Sequence, residues 1–184
     1  MSSIALTTDL NRRFEYAKAF LDAAKLSGSN DAIQTNIEAS VTLAFSFLEG
    51  ALTYIFEHFD NNEKFNVFER SIMLEKDLKL KDGEPKMEST KYRSIEDRIQ
   101  FIFWLFTGKP FDKTQQWWPK ISSAITYRNS IMHPKRPTSI QVSEAERHLI
   151  SILEATDALF RVVFGKGWPR AKKGLYTKVS ISEP

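Results

Sequence analysis

Apolar residues at Leu10, Phe14, Ala17, Leu21 and Ala24 recur at alternating spacings of four and three. That is the period of one face of an amphipathic helix. Gly28, within Ser27-Gly28-Ser29-Asn30, predicts its stop. Asn30 or Asp31 is the expected cap of a second helix that reaches about Phe59. Its main stripe carries Val41, Ala44, Phe45, Leu48, Leu52, Ile55 and Phe59, and Phe47, Ala51, Tyr54 and Phe56 extend the apolar surface almost all round. Such a helix is expected to be central, with neighbours on more than one side. Asn61-Asn62 breaks the pattern, and Phe65, Phe68, Ile72 and Leu78 predict a third, less regular helix. From Lys79 to Tyr92 the chain is charged, carries Gly83 and Pro85 and lacks periodicity, which predicts a solvated loop.

Ser94-Ile95-Glu96-Asp97 has the composition of a helix start, and the six apolar residues Phe101 to Phe106 continue that helix. The run is too apolar for the surface helix of a monomer, so it is either enclosed or faces a second copy. Thr107-Gly108-Lys109-Pro110 ends it. Trp117-Trp118 then precedes Pro119, which suits the first turn of the next helix. The tryptophans brace that helix start or stack on bases. Further on, Ser143-Glu144-Ala145-Glu146 has the form of a capping box. The helix it opens places Leu149, Ile152 or Leu153, Thr156, Leu159 and Val163 on one face, and Gly165 and Gly167 close it near Phe164. The fold class expected is all-α: a single helical bundle of five or six helices over residues 1–169, followed by a basic tail at 170–184.

The helix after Pro119 ends in Tyr127-Arg128-Asn129-Ser130-Ile131-Met132-His133-Pro134. Ile121, Ala124, Ile125, Arg128, Ile131 and Met132 share one face by spacing. Arg128 therefore sits in an apolar stripe, where a guanidinium that cannot shed its proton needs an anionic partner or a cleft. Glu38 and Glu49, at the edge of the second helix's stripe, are both candidates for that partner. Asn129 and His133 share the neighbouring polar face, and Pro134 biases His133 out of helical geometry. An ideal helix holds Arg128 and His133 about 140° apart, so convergence requires fraying or a partner chain.

Composition narrows the chemistry. With 42% hydrophobic residues and 14 Phe the chain is globular, and it has no cysteine for disulfides or thiolate metal sites. No run of eighteen apolar residues and no secretory signal are visible, so the expected setting is cytoplasmic, with no membrane. His58, His133 and His148 are scattered without ligand spacing, so no metal or other cofactor is expected. His58 and His148 read as structural or surface residues. No glycine-rich phosphate loop exists, and Ser130 forms no Ser-His-acid set by spacing. The net charge of +3 is unevenly spread: residues 1–119 carry 15 basic and 18 acidic side chains, and residues 120–184 carry 11 and 5. The basic third contains the motif, as expected of an electrostatic footprint for RNA or of a solvated face with a basic tail.

Arg128-Asn129-x-x-x-His133 resembles the R-x(4–6)-H signature of the HEPN superfamily of small all-helical domains. The resemblance spans roughly residues 30 to 169, from the long apolar helix with Glu49, through Ser94-Ile95-Glu96-Asp97-Arg98, to Trp168-Pro169. It implies an RNA-cleaving toxin or defence protein, a homodimer in which two motifs share one cleft, and an antitoxin as a partner. In chemical terms, a histidine can take the 2′-hydroxyl proton or protonate the leaving oxygen. An arginine can hold the phosphate bidentately and stabilise its transition-state charge. Asn129 would orient His133 or bind a phosphate oxygen, and Lys135 and Arg136 would position the nucleic-acid backbone. The rival reading is a non-catalytic helical module for dimerisation or for nucleotide or partner binding, with Arg128 in an ion pair and His133 capping its helix.

Overall fold

The computed structural model describes residues 3–59 and 64–169, with Ala171 and Leu175. Asn61-Asn62 and the remaining tail lie outside the described residues. The elements are α1 (Ser3–Leu26), α2 (Asn30–Phe59), α3 (Val67–Met73), β1 (Lys76–Lys81), β2 (Glu84–Thr90), α4 (Ile95–Thr107), α5 (Trp118–Met132) and α6 (Val142–Phe164). The chain is mostly helical, and its contacts divide it into two units: 1–50 with 112–184, and 51–111.

The first unit packs α1, the first part of α2, α5 and α6. All five residues of the α1 stripe are buried, as are Val41, Ala44, Phe45, Phe47 and Leu48 of α2. Gly50 lets the two helices approach, because a Cβ there would collide with the Leu10 side chain. Polar links fix the same interface: Ser40 Oγ donates to Ala17 O at 2.7 Å, and Arg13 Nη1 donates to Ser46 Oγ at 2.7 Å. Trp168 closes the far side, its ring edge-on to Phe47 and Phe160 at 5.5 and 4.7 Å. By length and mean hydropathy α2 could cross a membrane, but 56% of its most apolar stretch is buried within the chain, as in a core helix.

The second unit holds the end of α2, α3, the β1–β2 pair and α4. Phe59, Phe65 and Phe106 form a ring cluster with centroids 5.0 to 6.1 Å apart. Asn66 caps α3 through a full capping box with Glu69, and Ser94 Oγ accepts from Asp97 N at 3.0 Å to cap α4. Within the Phe101–Phe106 run only Ile102 and Phe103 are buried, and Trp104 is 43% exposed.

Several expectations need correction. The segment expected as a solvated loop is an antiparallel hairpin, so the chain is not purely all-α. Its turn is Asp82-Gly83, both with positive φ (55° and 83°). Asp-Gly suits such a two-residue turn. The signal is weak because the strands are mostly exposed: Leu78-Lys79-Leu80-Lys81 alternates, but Leu80 is 78% exposed and β2 has no matching alternation. Leu78 belongs to β1 rather than to α3. Ser29, not Asn30 or Asp31, caps α2, its hydroxyl accepting from Ala32 N at 3.3 Å. Gly28 does not adopt a left-handed conformation, and Ser27 Oγ instead bonds Ala23 O at 2.8 Å. The capping box expected at Ser143 does not form: the cap is Gln141, two residues earlier, and α6 begins at Val142.

α5 packs on α6 through Tyr127 and His148, whose rings stack with centroids 5.6 Å apart. Burial holds the His148 imidazole below its ordinary value of 6.5, with Glu144 opposing the shift and Arg147 adding to it. The unfolded chain therefore binds that proton first as pH falls. The contribution to stability is complete above the unfolded value and is lost as pH drops below it towards the folded value. Urea melts should show wild-type protein losing more stability between neutral and mildly acidic pH than His148→Phe, which keeps a stacking ring. Equal losses would exonerate His148.

Candidate functional site

The site is built at the C-terminal end of α5. At the other end of that helix, Trp118 is buried against Trp117, with centroids 6.0 Å apart, and Trp117 Nε1 donates to Gln115 Oε1 at 2.7 Å. The tryptophan pair thus braces the helix start. Ile121, Ala124, Ile125 and Tyr127 anchor the buried face. The helix runs to Met132, and His133 N donates to Asn129 O at 2.9 Å to close it. His133 leaves helical geometry at φ −133° and ψ 65°, the restriction that Pro134 imposes on the residue before it.

Arg128 finds a carboxylate. Its Nη2 donates to Glu49 Oε1 at 2.9 Å, and its Nη1 donates to Asn129 Oδ1 at 3.2 Å. Of the two glutamates that the sequence left open, Glu49 is the partner. The pair is half-buried, with the Arg128 side chain 25% exposed and Glu49 38%. Asn129 accepts from Arg128 through its oxygen, so its amide nitrogen remains a donor without a partner among the described residues.

His133 is exposed, as are Asn129, Lys135 and Arg136. These four, with Ser130 and Thr138, line an open cavity of about 770 Å³. Arg128 is not part of that lining. Within one chain the structure therefore gathers four of the five expected site residues, and the fifth reaches them only through Asn129. A second cavity of about 560 Å³ shares Ser130, Lys135, Arg136 and Thr138 with the first and adds Glu38. Glu38 makes no hydrogen bond or ion pair among the described residues, so it faces the cavity rather than serving Arg128. Thr138 carried no signal in the sequence beyond following Lys135-Arg136-Pro137. Ser130 was visible there, and its hydroxyl is engaged with Tyr127 O at 2.7 Å.

An exposed imidazole beside two cations and an amide donor can hold a phosphodiester and exchange a proton with it. No group of His, Asp and Glu able to hold a metal occurs among the described residues. Because the Arg128–Glu49 pair is only half-buried, Arg128→Ala should cost about 1–2 kcal/mol, less than the roughly 3–5 of a fully buried pair. Thermal melts of Arg128→Ala, Glu49→Ala and the double variant should show coupling, the double losing less than the sum of the singles. Strict additivity would mean that the pair contributes nothing. No protein-family model, curated protein or solved structure matches the chain, so its own residues and geometry carry the functional argument.

Proposed function

We propose that the chain is a HEPN-like, metal-independent endoribonuclease of the toxin or defence type, acting as a homodimer. The observation that carries this reading is the exposed His133 on the wall of a cavity that also presents Asn129, Lys135 and Arg136. Lys135 and Arg136 hold the RNA backbone, and Asn129 donates to a non-bridging phosphate oxygen. His133 takes the 2′-hydroxyl proton as that oxygen attacks phosphorus, and the bond to the 5′-oxygen breaks. The leaving oxygen takes a proton from the histidine of a second copy, giving a 2′,3′-cyclic phosphate and a 5′-hydroxyl. Arg128 stabilises the phosphorane charge across the shared cleft. The half-exposed Phe101–Phe106 run, with Trp104 beside Phe101 at 5.8 Å, supports association of two copies. A cytoplasmic setting and a neutralising antitoxin belong to the same proposal.

One observation favours the rival. Arg128 is engaged by Glu49 and does not line the cavity of His133, as expected of a non-catalytic dimerisation or nucleotide- or partner-binding module. Incubation with a mixed RNA pool in EDTA separates the two readings. The ribonuclease should cut, leave cyclic phosphate ends, and elute with the mass of two copies by light scattering. His133→Ala should slow cleavage by roughly 10²–10⁴ with an unchanged melt, because the exposed ring packs against little. RNA left uncut by wild-type protein, or cut at the wild-type rate by His133→Ala, selects the binding module.

A further inference from the structure

At the opposite end of α5 lies a third cavity, apart from the two around Ser130, Lys135 and Arg136. It measures about 300 Å³ and is lined by Pro119, Lys120 and Ser123 of α5 and by Glu144, Arg147 and His148 of α6. His148 is only 4% exposed, yet its imidazole has no hydrogen-bond partner among the described residues. The ring is buried but its nitrogens are not sealed from solvent, so the imidazole on this cavity wall is open to a hydrogen bond from a ligand that enters. Behind it, the stacked Tyr127 ring carries a hydroxyl that is also buried with no partner.

The remaining lining defines the chemistry. Lys120 reaches Glu154 only at 3.6 Å and keeps a side chain 54% exposed. Arg147 uses Nε on Ser143 O at 3.3 Å, which leaves its terminal nitrogens available. Two cations from different helices can therefore converge on one anion, and guanidinium and ammonium groups both suit phosphate. Lys120 also lies in the first turn of α5, at the positive end of the helix dipole, although Trp118 N and Ile121 N are already bonded and Pro119 has no N–H. Glu144 would repel an anion placed against it, but it can accept a hydrogen bond from a hydroxyl. Ser123 and His148 can donate to a hydroxyl oxygen or accept from it. Depressed by burial, His148 is neutral at physiological pH and offers one N–H and one lone pair.

We propose that this cavity binds a small hydroxylated phosphomonoester, with its phosphate between Lys120 and Arg147 and its hydroxyls towards Ser123, Glu144 and His148. The proposal stands independently of any cleavage at His133. Calorimetric titration of the full chain with ribose 5-phosphate should show saturable binding of one ligand per chain, and the imidazole resonances of His148 should shift with occupancy. Inorganic phosphate should bind more weakly, and ribose not detectably. Lys120→Ala and Arg147→Ala change solvent-facing side chains and should each weaken binding about ten- to a hundredfold. His148→Phe should weaken it as well, whereas His133→Ala should leave it unchanged. Absence of binding at millimolar ligand, or binding that survives Lys120→Ala and Arg147→Ala, would overturn the assignment. Loss of binding in His133→Ala would overturn it too, by moving the ligand to the other end of α5.

Discussion

An arginine on an apolar helix face dictates much of what surrounds it, because its charge cannot be neutralised by deprotonation. Each unit of this chain is organised around one such residue. In the first, Arg128 interrupts the buried stripe of α5 and is answered by Glu49 of α2 at 2.9 Å. In the second, Arg98 of α4 is 7% exposed, with its guanidinium 5.3 Å above the Phe56 ring. Its Nη1 lies 3.5 Å from Glu75 Oε2, and its Nη2 is 3.4 Å from Thr53 Oγ1. Glu75 has a φ of 51°, an unfavourable conformation for a side chain of that size. That geometry is held from several sides, since Arg93 N donates to the Glu75 carboxylate at 3.0 Å and Lys91 N donates to Glu75 O at 2.7 Å. One carboxylate thus joins the end of α3, the strand leading out of the hairpin and the buried arginine of α4.

The pairing in the first unit has a consequence for chemistry. Tying Arg128 to Glu49 fixes the last turns of α5 and so fixes where His133 emerges, while keeping Arg128 out of the cavity wall. A catalytic arginine must either exchange Glu49 for a phosphate or act from that position through Asn129. Exchange is energetically reasonable because the pair is half-buried: the carboxylate left behind retains contact with water, so its desolvation penalty stays well below that of a buried ion. The same geometry serves a purely structural pair equally well, and RNA cleavage distinguishes the two.

The helices were legible because burial imposes their period. The α1 stripe, the long α2 and the amphipathic α6 follow directly from the spacing of Leu10 to Ala24, Val41 to Phe59 and Leu149 to Leu159. What failed to show was governed by polar atoms competing locally. Ser29 and Asn30 are both good caps, and the choice between them rests on one hydroxyl reaching Ala32 N. Ser143-x-x-Glu146 has the right residues for a box, but Glu146 is drawn away to Lys25 Nζ at 2.6 Å, a partner more than a hundred residues distant that no local pattern reveals. The hairpin was hidden because its strands bury almost nothing, so only Asp82-Gly83 and the short Leu78-Lys79-Leu80-Lys81 alternation before it carried a signal. For the site, Arg128, Asn129 and His133 stood out by chemistry in sequence, whereas the choice between Glu38 and Glu49 and the place of Thr138 depend on tertiary packing.

The two ends of α5 place opposite demands on an anionic ligand. At the N-terminal end lies the positive pole of the helix dipole, so Lys120 and Arg147 add to a field already favourable to phosphate. At the C-terminal end a phosphate approaching His133 meets the exposed carbonyls of the last turn, the negative pole. Attraction there must come from outside the helix, and Lys135 and Arg136, two and three residues beyond His133, are the groups that supply it. From Lys120 to His133 the helix spans about 20 Å, well beyond the Debye length of roughly 8 Å at physiological ionic strength. Screening between the ends is therefore nearly complete, and occupancy of one cavity should not act electrostatically on the other. Mechanical coupling remains open along α5 itself and through its packing on α6, where the Tyr127 ring stacks on His148.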